Sequence, residues 1–294
     1  MKYETGYGFR MALETRLKAE SARQTLPLIR LRKAVAFDRL LARLSADPNS
    51  DWILKGGFAL QVRLQDRART TKDIDLLVRL PREEVHRRLV LAAAHDMGDF
   101  SRFVIGAPTA LPVAEGPGAV RCHVDMLIDD RQFEMFNLDV GLNDRLITPP
   151  ESLLLPSLLS FADLPAVTMP CYPIAQHLAE KVHAYVREYA TCENTRVKDL
   201  ADILLIAEFC PKLNASELRK ALEATFRNRD TPLPSALMNP PRAWTIPYAA
   251  MAKGVGLKYG KLSEAITAAR IFLNPVLQGS ALGEWHAETG EWRN

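Results

Sequence analysis

The stretch that most restricts the fold runs from residue 52 to residue 80. A short apolar run, "WIL", is cut by the turn "KGG" at Lys55, Gly56 and Gly57. "FALQVRLQ" follows and fits two turns of helix; after a basic segment comes "IDLLVRL", which reads as a strand. Strand, Gly-Gly turn, helix and strand this close in sequence predict a sheet with a helix laid on it. Side chains alternate faces along a strand, so Ile74 and Leu76 point to the core while Asp73 and Asp75 share the opposite face. Their Cα atoms are then about 6.5–7 Å apart.

Two carboxylates at that spacing repel unless a cation lies between them. On a wet edge strand they are simply solvated. Held together on one face they suit a hard divalent cation, since Mg²⁺ is bound by one or two carboxylates plus substrate phosphates. Three companions favour the second reading. Gly56 and Gly57 stand between a strand and a helix, where bare backbone N–H groups and the helix N-terminus receive phosphate. Asp125 lies in "VRCHVDMLID". If that strand neighbours the Asp73–Asp75 strand, it adds a third carboxylate, as general base or metal ligand. Arg67, Arg69 and Lys72, with Thr70 and Thr71, form a basic loop able to neutralise a triphosphate or contact a polynucleotide backbone.

The rest of the chain reads as two halves. Residues 8–45 are helical by periodicity, and Pro81 opens a further helix with Glu83 and Glu84 in its first turn. From 100 to 140 the pattern turns to short strands, with "APTALPVAEGPGA" as a loop, and 145–172 reads as a Pro- and Leu-rich connector. After Pro173 everything is helical, Asn214 and Ser216 are candidate caps, and the tail after Gly279 is polar apart from two tryptophans. The expectation is an α+β protein with an α/β domain at 1–168 and a helical domain at 169–294, a pairing that commonly encloses a cleft.

The 38 basic and 35 acidic residues leave a net charge of +3, so any basic binding surface is local. Cys122, Cys171, Cys192 and Cys210 form no CxxC pair and read as free thiols. The first twenty residues have no apolar core, and 152–169 is interrupted by Pro156, Asp163 and Pro165. A soluble, cytoplasmic chain with no membrane partner is expected.

The Gly-Gly turn, then the Asp-x-Asp pair, then a third aspartate on a later strand, Asp125, resembles the DNA polymerase β-type nucleotidyltransferase superfamily. "KGGFALQVRL", "RTTKDIDLLV", "IAQHLAEKVHAYVREY" and "RVKDLADILLI", in that order, narrow the resemblance to the AbiEii/AbiGii toxin family, which includes the mycobacterial MenT-type toxins. It covers about residues 50–210. Gly57 stands where many superfamily members carry serine, so a hydroxyl is replaced by a backbone amide.

The resemblance implies a small mixed-sheet nucleotidyltransferase core flanked by helices. It implies a toxin of a toxin–antitoxin system that moves a nucleotide from an NTP to the 3′ end of tRNA and blocks aminoacylation. Two Mg²⁺ ions, or Mn²⁺, would be held by Asp73, Asp75 and Asp125. Catalysis would use these with Lys181 and Asp199. The nucleotide would be bound by Lys55, Gly56, Gly57, Arg69, Thr71, Lys72 and Lys198.

From the residues alone, Lys181 borders the stripe Leu178, Val182, Tyr185, Tyr189 and either snorkels to solvent or reaches phosphate. Asp199 and Asp202 share a helix face, Asp202 reading equally as a structural acid. Arg196 reads as a phosphate or RNA contact and His183 as a packed histidine. A cognate antitoxin is expected, silencing the enzyme by phosphorylating Thr71 or by covering this loop. The competing readings are transfer to a protein or small-molecule hydroxyl, and a non-catalytic module that binds GTP or a partner.

Overall fold

The computed structural model describes residues 1–47, 50–67, 69, 71–111, 118–187, 194–210 and 212–294. Thr70, Tyr189 and Cys192 lie outside the described residues. The chain divides into two units. The first comprises Met1–Val62, Thr70–Arg145 and Pro150–Cys171; the second comprises Arg63–Arg69, Leu146–Pro149 and Tyr172–Asn294. The second unit thus includes two segments that precede its main body in the sequence, and hydrogen bonds explain why. Arg63 donates to the Tyr172 carbonyl at 2.7 Å, Arg69 to Asp202 at 2.8 Å, and the Ile147 amide to Gln176 Oε1 at 3.0 Å.

The first unit opens with two helices, α1 (Gly6–Gln24) and α2 (Leu28–Leu44), where periodicity suggested one. Thr25 takes a left-handed conformation at φ 55° and Pro27 follows, which ends one helix and caps the next. Next come β1 (Ile53–Lys55), α3 (Gly56–Leu64), β2 (Ile74–Val78), α4 (Arg82–Ala93) and the strands β3 (Ser101–Ile105), β4 (Thr109–Leu111), β5 (Ala119–Ile128) and β6 (Arg131–Leu142). β4 falls inside the expected loop and pairs with β5. The expected connector also holds strands, β7 (Glu151–Leu154) and β8 (Thr168–Cys171).

All eight strands form one mixed sheet, ordered β3-β5-β6-β2-β1-β8-β7, with β4 beside β5. β2 runs parallel to β6 and antiparallel to β1; β5 and β6 are antiparallel. Leu54, Ile74, Leu76, Leu138, Val140, Val120, Cys122 and Val124 build the buried face. Phe37 of α2 is wedged there edge-on to Phe58 and Phe136, with ring centroids 5.0 and 4.9 Å away. Burying one face so completely fixes the register, because a slip of one residue would turn every aspartate inward.

A cluster of charged side chains, Asp38, Arg39, Arg43 and Asp99, is buried in this unit. Arg43 of α2 holds Asp99 by two hydrogen bonds of 3.0 and 2.7 Å and also donates to the Ser101 carbonyl at 2.8 Å. Burial pushes the Asp99 pKa up, but Arg43's hydrogen bond and charge, with Arg39 nearby, outweigh it and hold the carboxyl below its ordinary value.

The second unit carries α5 (Ile174–Val186), α6 (Val197–Phe209), α7 (Ala215–Arg227), α8 (Thr245–Val255) and α9 (Leu262–Leu277). Asn214 caps α7, its side chain accepting from the amides of Ser216 and Glu217. The two tryptophans of the tail sit on a hairpin, β9 (Glu284–His286) and β10 (Glu291–Arg293). Trp285 donates to the Ala207 carbonyl at 2.6 Å and Trp292 to Phe272 at 2.8 Å. Cys122, Cys171 and Cys210 are all buried. No helix among the described residues is long and apolar enough to cross a membrane.

Candidate active site

The site in the first unit is built across neighbouring strands. β1 ends at Lys55, and the chain turns at Gly56 with φ +67° into α3. A side chain there would be strained by the backbone and would also collide, because a Cβ on Gly56 would lie 1.9 Å from Asp75 Oδ2. Glycine thus lets the Asp75 carboxylate seat against the turn that begins α3. Gly57, in the first turn of that helix, is buried.

Register places the charges in a row. Lys55 of β1 pairs with Asp75 of β2, Asp75 with Asp139 of β6, and Asp139 with Arg121 of β5. Residues in register on adjacent strands point the same way, so Lys55, Asp75, Asp139 and Arg121 stand side by side on one face, about 4.8 Å apart from strand to strand. Asp73 is on that face too, its Oδ1 accepting from Asn137 Nδ2 at 3.3 Å. Lys55 Nζ meets Asp144 Oδ2 at 3.3 Å.

Arg121 grips Asp139 by a fork, Nε to Oδ1 and a terminal nitrogen to Oδ2, each at 2.7 Å. The Asp139 hydrogen bond, then the charges of Asp139, Asp73 and Asp75, raise the Arg121 pKa above its ordinary value, with partial burial working against them.

The carboxylate that stands next to Asp75 on this face is Asp139, and Asp125 lies farther along the sheet. The condition set for Asp125 was that its strand neighbour the Asp73–Asp75 strand, and β6 lies between the two. Asp125 pairs in register with Met135, and its Oδ1 accepts from Gln132 at 3.0 Å. Two strand spacings and four residues along the sheet put it about 16 Å from Asp75, too far to share a cation. Asp139 had a signal in the alternation of "FNLDVGL", where Asn137 and Asp139 interrupt an apolar run. Which strand lies beside β2 was not encoded locally.

Thr71 and Lys72 lie in the turn before β2. The Thr71 hydroxyl donates to the Asp73 carbonyl at 3.1 Å, and Lys72 is exposed. The donor set fits a hard divalent cation. Asp73, Asp75 and Asp139 offer carboxylate oxygens on one face, and the bare Cα of Gly56 leaves Asp75 its seat. Among the described residues, no three ligating side chains already converge, in keeping with Asp139 being turned to Arg121.

The second unit holds the other expected residues in a buried chain of ion pairs. Lys181 Nζ of α5 contacts Asp202 Oδ2 at 2.8 Å and Asp199 Oδ1 at 3.0 Å, both on α6. Asp202 takes the Arg69 fork at 2.8 and 3.1 Å, and Asp199 takes Arg196 at 2.6 Å. Lys181 is only 8% exposed, and Asp199 and Asp202 1% each, so this lysine does not snorkel to solvent. Burial alone would lower the Lys181 pKa; Asp202 and then Asp199 reverse that and raise it. Burial would likewise raise the Asp202 pKa, but Lys181 and Arg69 bring it below its ordinary value. Arg69, expected on a nucleotide, is bound to Asp202, whose weight the sequence did not reveal. Lys198, in the first turn of α6, is exposed. His183 packs edge-on to Phe226 at 5.0 Å.

Comparison with known proteins bears on what this arrangement belongs to. Among solved structures, the nucleotidyltransferase toxin MenT4 from Mycobacterium tuberculosis H37Rv matches with 21% identity and a TM-score of 0.47, over 64% of this chain and 61% of MenT4. No curated protein matches. The family model described as nucleotidyl transferase AbiEii toxin, type IV toxin–antitoxin system, matches residues 39–265, a span holding both groups of charged residues. The chain belongs to the AbiEii nucleotidyltransferase toxin family.

Proposed function

We propose that this chain transfers a nucleoside monophosphate from an NTP to the 3′-terminal hydroxyl of an RNA, a tRNA in particular. In doing so it blocks aminoacylation, and a cognate antitoxin opposes it. The observation that carries the chemistry is the carboxylate row, Asp75 in register with Asp139 and Asp73 beside them. Family membership supports nucleotidyl transfer, a divalent metal and an antitoxin partner. The tRNA acceptor rests on the motif resemblance.

Asp73, Asp75 and Asp139 would hold Mg²⁺ or Mn²⁺, which when bound supplies the positive charge that neutralises phosphate oxygens. The backbone amides at Gly56–Gly57 and the start of α3 receive the triphosphate. The acceptor hydroxyl oxygen attacks the α-phosphorus in line; its proton passes to Asp139, and pyrophosphate leaves with the electron pair of the broken P–O bond. Asp139 takes the role first expected of Asp125. Lys55, with Lys72 beside the row, offsets charge developing on the phosphates. The motifs carry Lys181, Asp199 and Lys198 into the same proposal, the first two being joined in the ion-pair chain.

The test is incubation with Mg²⁺, total bacterial tRNA and each α-labelled NTP in turn, with Asp75→Ala alongside. Label on tRNA with wild type and none with Asp75→Ala is the expected result. Label on a protein band keeps the chemistry and changes the acceptor. Bound NTP with no label anywhere overturns the reading in favour of a binding module.

A further inference from the structure

Arg121 has no part in the reaction just described, yet it stands in the row that carries it. It occupies the fourth position of the line Lys55, Asp75, Asp139, Arg121. Both of its hydrogen bonds to Asp139 are 2.7 Å long, and each uses a different carboxylate oxygen. The Asp139 side chain is 19% exposed and that of Arg121 40%, so the guanidinium can leave for solvent or phosphate without unfolding anything.

A sheet face that gathers Asp73, Asp75 and Asp139 would repel itself in the absence of cations. Arg121 offsets that repulsion from within the protein. A guanidinium in a fork also presents the planar, doubly bonded partner a carboxylate prefers, so it competes well for Asp139. An incoming divalent cation must therefore displace Arg121 from Asp139 or bind with one carboxylate fewer. A triphosphate shifts this balance, since its oxygens both ligate the cation and offer the released guanidinium a new fork.

We propose that Arg121 is a built-in counter-ion that holds the place of a divalent cation at Asp139 and so makes cation binding depend on arrival of the nucleotide. The proposal rests on the metal-dependent reading above and assigns Arg121 a positioning role within it. In the resting protein Arg121 keeps Asp139 engaged and cation affinity low. With the triphosphate present, Arg121 exchanges the carboxylate for phosphate, and Asp139 turns to the cation.

The test is Mn²⁺ binding followed by electron paramagnetic resonance, with and without a non-hydrolysable NTP analogue. Wild type, Arg121→Gln, Arg121→Lys and Asp75→Asn are compared after each is shown to be folded by circular dichroism. Arg121→Gln should bind Mn²⁺ alone at least about tenfold more tightly than wild type, because a competing charge has gone. Nucleotide should then tighten Mn²⁺ binding less than it does in wild type. Arg121→Lys, which keeps the charge and loses the fork, should fall between the two. Unchanged or weaker Mn²⁺ binding in Arg121→Gln, at a site that Asp75→Asn abolishes, overturns the counter-ion and leaves the metal reading standing. Mn²⁺ binding indifferent to Asp75→Asn overturns both.

Discussion

At the scale of single residues, the polar face of the sheet turns on which aspartate neighbours which. Asp139→Asn should lower nucleotide transfer by at least about a hundredfold, the usual weight of a positioned proton acceptor. Asp125→Asn should leave it near wild type. Parallel rate measurements on the two variants decide the assignment, and equal losses would remove Asp139 from its role. Asp73 and Asp75 were legible because alternation is a local property and two carboxylates in an aliphatic strand are conspicuous. Gly56 was legible as a turn but not as the seat of Asp75, which only its φ of +67° and the 1.9 Å at which an added Cβ would meet Asp75 Oδ2 disclose. Asp139 and Arg121 were hidden for a different reason. Each has the pattern of an ordinary polar residue on a half-buried strand, and their meaning lies in a pairing that joins β2 to β6 across α4 and three further strands. The same holds for Asp202, which shows its ties to Lys181 and Arg69 only once α5 and α6 are packed.

At the scale of elements, helices with strong end signals were readable and weak strands were not. α7 begins where its cap stands, and both capping bonds from Asn214 are present at 2.9 and 3.2 Å. Asn214→Ala should lower the unfolding free energy by about 1 kcal/mol. That is measurable as a lower denaturant midpoint with unchanged slope, and no change would mean the cap is replaced by solvent. β7 and β8 escaped because four-residue strands carry little alternation and Pro170 argues against a strand interior. Pro170 stands opposite Ser152 of β7, and β8 pairs with β1 at Leu54–Cys171. The break between α1 and α2 escaped because apolar spacing runs through it, and only the left-handed Thr25 and the Pro27 that follows mark it.

At the scale of the whole molecule, buried charges and buried histidines set the response to acid. Burial, then the Lys181 charge, lowers the His177 pKa to about 3; burial, then Arg229, lowers that of His183 to about 4. Unfolded histidine takes up a proton near 6.5, so below that pH the unfolded chain binds protons that the folded one refuses. Stability is therefore complete above about pH 6.5 and falls as the solution is acidified towards these lowered values. The depressed Asp99 and Asp202 add a second loss at lower pH, beneath the ordinary aspartate range, while Asp38, raised chiefly by burial, works the opposite way. Denaturant midpoints at pH 7.5, 6.0 and 5.0 should decline in order, and His177→Gln should flatten part of that decline. Equal midpoints would show that neither ring is held neutral.

The parallel contact of β1 with β8 has a consequence in time. The strand that delivers Lys55 to the row gains its second neighbour only at Cys171, so the sheet cannot close around it until that distant segment is in place. Contacts so distant in sequence fold slowly. Closure of the sheet, rather than formation of its local helices, is then the step that completes the row of charges.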